Sequence, residues 1–119
     1  MAKTSEVMSE LLELDGAKAV AVVDSSSGMV LGKEGSGFDL DMAAAGNTEV
    51  VKAKLSVMKN LGIEGSIEDI LITLNDQYHI ICPLPDKLSV FIYLVLDKAK
   101  SSLAMARLKT LDQAAALKI

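Results

Sequence analysis

The chain has 119 residues, of which 50% are hydrophobic and only 3% aromatic, so its core must be built from aliphatic side chains and methionine. A chain of this length forms one domain of common size, and we expect a single domain over residues 1–119. The formal charge of −4, with scattered lysines and Arg107 as the single arginine, argues against a nucleic-acid-binding surface, which requires clustered positive charge.

The cysteine content and the hydropathy of the chain indicate the cellular compartment in which the protein is expected. The single cysteine, Cys82, excludes an internal disulfide and fits a reducing environment. The chain opens on a polar segment rather than on a basic and apolar leader. The longest apolar run, over residues 90–96, is far shorter than the ~20 residues that a spanning helix needs. We therefore expect a cytoplasmic protein without membrane insertion.

The first half of the chain predicts a helix, a β-hairpin and a long second helix. Hairpin and helix ends are marked by serine, aspartate and glycine, the residues that favour caps and turns. Asp39 or Asp41 is the expected cap of the long helix. The predicted elements are a helix capped by Ser5 and closed by Gly16, strands over residues 17–24 and 29–33, and a helix over residues 40–61.

The second half predicts three strands and a last helix, over residues 67–75, 77–83, 88–96 and 98–117. The strand over residues 88–96 is apolar on both faces, which is typical of a central strand with helices above and below. The order α-β-β-α-β-β-β-α, dominated by hairpins, indicates an α+β fold. We expect a single-domain αβα sandwich whose five-stranded sheet is mostly antiparallel, with the terminal helices on one face and the long helix on the other.

The long helix carries more apolar surface than one partner covers. Projected at ~100° per residue, two adjoining stripes span roughly 200°, about twice the stripe that a surface helix turns towards its core. Part of this arc can face the chain's own sheet, and the rest needs another protein surface. The first stripe contains Leu40, Ala44, Val51, Leu55 and Met58, and the second contains Ala43, Gly46, Val50, Ala53, Val57 and Leu61.

Two polar residues, Asn47 and Lys54, lie seven residues apart in the seam between these stripes. A polar residue in such a seam often fixes the register of a helix–helix contact. Alternatively, both residues mark the solvent boundary, with the Lys54 stem extended over apolar neighbours. The small side chains of Ala43, Ala44 and Gly46 favour the interface, because they let two helices approach closely.

The strand over residues 67–75 provides a second argument for self-association if it lies at the edge of the sheet, because the open hydrogen-bonding groups of an edge strand invite a partner strand. Its apolar residues occupy both faces, with Ile70, Ile72 and Leu74 on one and Ile67 and Leu71 on the other. A glutamate at Val51 is expected to abolish the dimer, since it buries an unpaired charge. The predicted homodimer interface comprises Ala43, Gly46, Asn47, Val50, Val51, Lys54, Leu55, Met58, Ile67, Leu71 and Thr73.

Candidate catalytic residues have simpler structural explanations. Residues 28–33 resemble a phosphate-binding loop, but the spacing is one residue short and an acidic residue replaces the magnesium-binding hydroxyl. His79 and Cys82, three residues apart on a strand, point to opposite faces and cannot share a metal or a proton. Capping explains Asp39 and Asp41. We therefore predict no catalytic residue, cofactor or metal site, and a hydrolase built on Asp39, Asp41 or His79 is the least supported alternative.

Three segments, residues 21–31, 67–73 and 102–107, resemble the roadblock / dynein light chain family, and the order of elements matches over residues 5–117. The resemblance implies an αβα sandwich that dimerises through its long helix and third strand. It also implies a non-enzymatic scaffold or regulator of small Ras-like GTPases, or a light chain of a motor. The family has no catalytic residue to transfer, and Arg107 lies mid-helix, where an arginine finger is not expected.

The sequence thus favours a homodimeric scaffold or regulatory module that binds a small Ras-like GTPase, with activation, exchange and tethering all left open. One alternative is a small-molecule sensor, whose cavity would be lined by Tyr78, Phe91 and Tyr93. Another is a cytoskeletal or motor-associated adaptor.

Overall fold

The structure is a computed structural model that describes residues 2–119; Met1, with which the predicted domain begins, lies outside the described residues. The described residues form three helices and five strands in the predicted order. The elements are α1 (Thr4–Leu12), β1 (Ala17–Asp24), β2 (Met29–Gly35), α2 (Leu40–Asn60), β3 (Ile70–Thr73), β4 (Gln77–Leu84), β5 (Lys87–Asp97) and α3 (Leu103–Ala116).

The five strands form one antiparallel sheet in the order β2-β1-β5-β4-β3. The prediction that the most apolar strand is central is confirmed, because residues 90–96 of β5 are at most 2% exposed. A strand whose two faces both lie against helices must be apolar at every position. The third strand lies at one edge of the sheet, which is the condition that the argument for strand pairing required.

Alternate residues of β5 separate two cores, one on each face of the sheet. Ile92 and Leu94 pack against the terminal helices α1 and α3. Phe91, Tyr93 and Val95 pack in a second cluster with residues of α2. This confirms the αβα arrangement, in which the terminal helices cover one face and the long helix covers the other.

Two helices begin elsewhere than predicted. Ser5 is not an N-cap: α1 begins at Thr4, its N-cap is Lys3, two residues before Ser5, and no side chain caps it. The last helix begins at Leu103 rather than at residue 98. The chain leaves β5 in a turn in which the Ala99 N–H donates to the Asp97 carboxylate at 2.9 Å. This aspartate turn competes with helix geometry and delays the start of α3.

The third strand is shorter than predicted, since β3 begins at Ile70 instead of residue 67 and ends at Thr73. The preceding residue, Asp69, is drawn towards α3 by two hydrogen bonds from the guanidinium group of Arg107. The turn that follows is closed by the Leu74 N–H, which donates to the Gln77 carbonyl at 2.9 Å. Tertiary contacts therefore limit the strand at its beginning, and the turn limits it at its end.

Gly35 marks the closest approach between β2 and β1. It has a φ of +105°, and a Cβ atom there would lie 2.6 Å from the Ala19 Cα and even closer to the Lys18 carbonyl oxygen. Gly37 shares the positive φ, at +86°, but has no neighbouring atom within 4 Å of such a Cβ. Only the first of the two positions combines backbone strain with a steric clash.

We predict that Gly35→Ala destabilises the fold more than Gly37→Ala does. Both variants carry the strain of an L-residue at positive φ, about 1 kcal/mol, while Gly35→Ala adds a backbone clash of about 1–3 kcal/mol. Urea unfolding monitored by circular dichroism measures the two free energies of unfolding. Equal losses for the two variants would contradict the close approach of β2 to β1.

Candidate interaction surface

The long helix α2 begins at a side-chain cap. The Asp39 carboxylate accepts a hydrogen bond from the Met42 N–H at 3.0 Å, which selects Asp39 from the two predicted caps. Asp41 instead forms an exposed ion pair with Lys33, at 2.9 Å. Within the described residues, no group of three or more histidine, cysteine or acidic side chains could hold a metal ion.

The first half of α2 packs on its own sheet, and the second half is largely exposed. The helix makes its main backbone contacts with β1 and β2, and its buried residues are Leu40, Ala44, Thr48 and Val51. From Lys52 to Asn60 only Met58 is half-buried, and every other residue is exposed. The sheet of this chain therefore leaves the C-terminal half of α2 largely uncovered.

The second apolar stripe of α2 is open to solvent, as the sequence predicts. Val50, Val57 and Leu61 are 37%, 46% and 68% exposed. Gly46 leaves open space beside the helix, since a Cβ atom built on it meets no atom within 4 Å. Ala43 differs from the others because it is half-buried against the core under α2. Solvent-facing aliphatic residues on one flank of a helix are typical of a surface that binds another protein.

Beside this flank lies a groove of ≈ 510 Å³ between α2 and the chain that leads into β3. It brings together four residues of the predicted interface, Val50, Lys54, Met58 and Ile67. Its lining also includes residues that the sequence analysis did not name for this role. They are Ile63, Glu68, Asp69 and Ile70, of which Ile63 had a visible signal, as an apolar residue directly after the end of the helix.

The remaining strand residues of the predicted interface lie at the same sheet edge but on the other face. Leu71 pairs with Ile80, and Thr73 pairs with Tyr78, so both share the face of α1 and α3, because directly opposed cross-strand residues point the same way. Leu71 is 40% exposed and Thr73 is exposed. They can contribute to pairing along the edge, but not to the groove.

The two edges of the sheet differ in their protection against pairing. The edge strand β2 carries Lys33 and Glu34, whereas the four residues of β3 are uncharged. Charged residues on an edge strand oppose pairing with another strand. Of the two edges, β3 is therefore the one suited to accept a partner.

Two predicted interface residues have contrasting environments within the subunit. Val51 is only 2% exposed and belongs to the core under α2. Leu55, one turn later, is 45% exposed. A glutamate at Val51 would place a charge inside the subunit's own core and would first test folding. Leu55 remains available to a partner.

A polar network underneath α2 involves Asn47, one of the two seam residues. The Tyr93 hydroxyl lies 3.0 Å from His79 Nδ1, and His79 Nε2 lies 2.8 Å from the Gln77 Oε1 atom. A neutral imidazole protonated on Nε2 satisfies both contacts, since it donates to Gln77 and accepts from Tyr93. The His79 ring also meets the Phe38 and Tyr93 rings edge to face, with centroids 6.2 and 5.5 Å away.

Burial sets the ionisation of this network. It lowers the pKa of His79 and raises the pKa of the Tyr93 phenol, an increase that a hydrogen bond from Asn47 partly opposes. Both groups are therefore held in their neutral forms near neutral pH. Asn47 thus lies near the Tyr93 hydroxyl under α2, whereas Lys54 lines the groove.

His79 and Cys82 lie on opposite faces of the sheet, as predicted. His79 contacts Tyr93 on the α2 face, while Cys82 belongs to the core between the sheet and the terminal helices. Burial raises the pKa of the Cys82 thiol to about 12, so the thiol is protonated at neutral pH and a poor nucleophile.

The predicted cavity lined by three aromatic side chains does not form. Tyr78 packs with the core on the side of α1 and α3, whereas Phe91 and Tyr93 belong to the core under α2. The prediction of one cavity lined by all three is wrong, because the sheet lies between Tyr78 and the other two side chains.

Arg107 lies in the middle of α3, as predicted, and its guanidinium group is bound within the chain. Nε donates to Asp69 Oδ2 at 2.5 Å and Nη2 donates to Asp69 Oδ1 at 3.1 Å. These hydrogen bonds raise the pKa of Arg107. The bidentate pair holds the guanidinium group against the segment before β3. Arg107 therefore does not project as an arginine finger towards the active site of another protein.

Solved structures with the same architecture cover almost the whole chain. A roadblock/LC7 domain from Streptomyces avermitilis superposes with a TM-score of 0.82 at 13% identity, over 97% of this chain and 94% of its own. The gliding protein MglB from Thermus thermophilus gives a TM-score of 0.81 at 20% identity, over 94% and 83% of the two chains. MglB from Myxococcus xanthus gives 0.80 at 20% identity, over 92% and 80%.

The chain has the roadblock/LC7 fold. The agreement extends from α1 to α3, so the roadblock fold accounts for both helical layers and for the sheet between them. No protein-family model matches the sequence, and no curated protein is detectably similar to it. The likeness therefore lies in the tertiary structure rather than in extended sequence identity.

In the described part of the chain, none of the helices has the length and hydrophobicity of a bilayer-spanning segment.

We predict that the free energy of unfolding falls more steeply in wild type than in His79→Gln between about pH 7.5 and 5.5. The folded state lowers the pKa of His79 below its ordinary value of 6.5. The unfolded chain therefore takes up the proton first, and the stability provided by the neutral ring is lost as the pH falls below that value. Urea unfolding at both pH values measures the difference.

The carboxyl groups of Asp24 and Asp86 do not contribute to this difference between the two proteins. Their pKa values lie below the ordinary 3.8, so they titrate outside this pH window. An identical pH dependence in wild type and His79→Gln would contradict the neutral His79 network.

Proposed function

We propose that the protein is a non-enzymatic, homodimeric regulatory module that binds a small Ras-like GTPase. The main support for the proposed dimer is the exposed apolar flank of α2, which lies beside the uncharged edge strand β3. The groove between them contains Val50, Met58 and Ile67, and it continues onto an edge whose backbone groups are unpaired on one side. A second copy would cover the flank and extend the sheet at the same time.

The polarity of the groove suits a symmetric contact. Lys54 lines it together with Glu68 and Asp69, so one surface offers charges of both signs around an apolar centre. In a two-fold contact the same patch meets itself, and a patch with both signs can be self-complementary. An MglB of the same fold has been solved in a tetrameric arrangement, which supports self-association through this fold.

The side chains with catalytic potential support a binding role. His79 is neutral and hydrogen-bonded on both nitrogens, the Cys82 thiol has a pKa of about 12, and Arg107 is bound by Asp69. Each is occupied within the subunit. Any effect on a partner's GTP hydrolysis would therefore arise from positioning the partner's own residues, rather than from an arginine supplied by this chain.

The GTPase partner is proposed from the roadblock fold and from the sequence resemblance to the roadblock family. The fold agreement with a roadblock/LC7 domain and with two MglB proteins supports a role of the same kind. Dimer formation and GTPase binding are separate steps of the proposal and are tested separately.

We predict that wild type sediments at twice the chain mass of 12.6 kDa and that Val50→Glu sediments as a monomer. The introduced carboxylate would lose its hydration in the apolar centre of the contact, with only Lys54 one turn away to compensate, which should weaken association by about a hundredfold. Sedimentation velocity at micromolar concentration measures the mass. Circular dichroism should show the same fold, since Val50 is 37% exposed in the subunit.

Ser56→Glu is the matched control, because it adds the same charge to an exposed position of α2 on the other side of the helix. It should sediment like wild type. A wild-type monomer at these concentrations would refute the dimer, and a dimeric Val50→Glu would refute this interface.

We predict that the tagged protein retains a small GTP-binding protein from lysate of its own cells. Retention should depend on whether a non-hydrolysable GTP analogue or GDP is present, because Ras-like GTPases change their switch regions with the nucleotide. Mass spectrometry identifies the retained chain, and titration of the two purified proteins checks direct binding. Retention of a motor or cytoskeletal protein without any GTPase would count against the proposal.

A further inference from the structure

A second cavity, of ≈ 380 Å³, lies on the opposite face of the sheet from the groove. Three parts of the chain enclose it: the C-terminal half of α3, the β4–β5 hairpin and the segment that leads into β3. Cys82 on β4 also lines it. The lining residues are Ser66, Ile67, Glu68, Cys82, Pro83, Pro85, Leu88, Leu111 and Ala114.

The cavity exists because the segment before β3 separates from β4. Residues 66–69 do not pair with β4, and two contacts fix their position instead. Asp69 is bound by Arg107 of α3, and the Cys82 thiol lies 3.5 Å from the Glu68 carbonyl oxygen, to which it donates. The wall of the cavity is therefore held by α3 on one side and by β4 on the other.

The chemistry of the lining selects against charged molecules. Most of the wall is aliphatic or proline, and the side chain of Leu88 is 51% exposed at the opening. The carboxylate of Asp69 is neutralised by Arg107. Burial keeps the Cys82 thiol protonated, with a pKa of about 12. An anion would lose its hydration and meet only the carboxylate of Glu68, and a cation would gain only a weak pair with that exposed carboxylate.

The volume indicates the size of the occupant. Small-molecule sites usually have volumes of ~300–1,000 Å³ and are mainly apolar with a few polar groups, and this cavity lies at the lower end of that range. Ser66 and the backbone of the segment provide the polar groups. A single aromatic ring with a short substituent fits both the volume and the lining.

We propose that this cavity is a binding site for a small, uncharged, apolar molecule. It is distinct from the aromatic cavity expected from the sequence, and it shares the wall formed by Ile67 and Glu68 with the groove beside α2. Binding is a non-covalent transfer of apolar surface from water into the cavity.

The probe for the test is 2-phenylethanol, compared with phenylacetate and 2-phenylethylamine, which share its frame and carry opposite charges. The full chain is titrated with each compound by isothermal calorimetry. Saturable binding of the alcohol, with each charged compound at least about tenfold weaker, is the expected result. Absence of saturable binding, or equal binding of all three compounds, would overturn the proposal.

Two matched variants locate the site. Leu88→Ser removes an exposed leucine of the lining, and Leu108→Ser removes a leucine of α3 that is 56% exposed and lies outside the lining. Neither side chain is part of the core, so both variants should fold. Leu88→Ser should weaken binding of 2-phenylethanol by about tenfold, while Leu108→Ser should leave it unchanged. Equal affinities of the two variants would place the ligand elsewhere.

The thiol gives an independent readout, since Cys82 is the only cysteine. Saturating 2-phenylethanol should slow the reaction of Cys82 with methyl methanethiosulfonate, an uncharged reagent, as followed by mass spectrometry. An unchanged rate of modification at saturation would show that the alcohol does not occupy this cavity.

Discussion

The burial of β5 on both faces is the constraint on which the structure depends. Residues 90–96 are at most 2% exposed, so helices must cover both sides of the sheet, and alternate side chains of one strand enter two separate cores. With aromatic residues at only 3% of the chain, aliphatic packing fills these cores. The αβα arrangement follows from this requirement, because no two-layer packing would cover a strand that is apolar at every position.

The coverage of the two faces is unequal, and this inequality creates the interaction surface. α1 and α3 together cover one face, whereas α2 alone covers the other and makes its main contacts with β1 and β2. Its C-terminal half is largely uncovered: Val57 and Leu61 are exposed, and a groove separates this half from the start of β3. The same geometry puts the uncharged edge strand beside the open helix flank. Both features of the proposed dimer therefore have a single cause.

The segment before β3 connects the two faces of the molecule. Ile67 and Glu68 line both the groove beside α2 and the cavity under α3, so a short stretch of chain forms the wall between them. Its position is fixed by Arg107 on α3, through an ion pair in which Asp69 is 9% exposed. Such a pair in a partly buried setting orients the chain more than it stabilises it, because desolvation offsets much of the attraction. The arginine that could not serve as a finger thus has a structural role.

The sequence by itself determined the order of the elements, the antiparallel sheet, the central strand and the second apolar stripe of α2. Each of these features follows from local hydrophobic periodicity and from turn residues. Only the tertiary structure decided which positions of that helix are covered: Val51 is buried and Leu55 is exposed, although both belong to one stripe. It also decided that Tyr78 lies apart from Tyr93 and that β3 begins at Ile70. The register of neighbouring strands and the contact between Asp69 and Arg107, 38 residues apart, set these outcomes. Contacts between distant parts of the chain leave no periodic signal in the sequence.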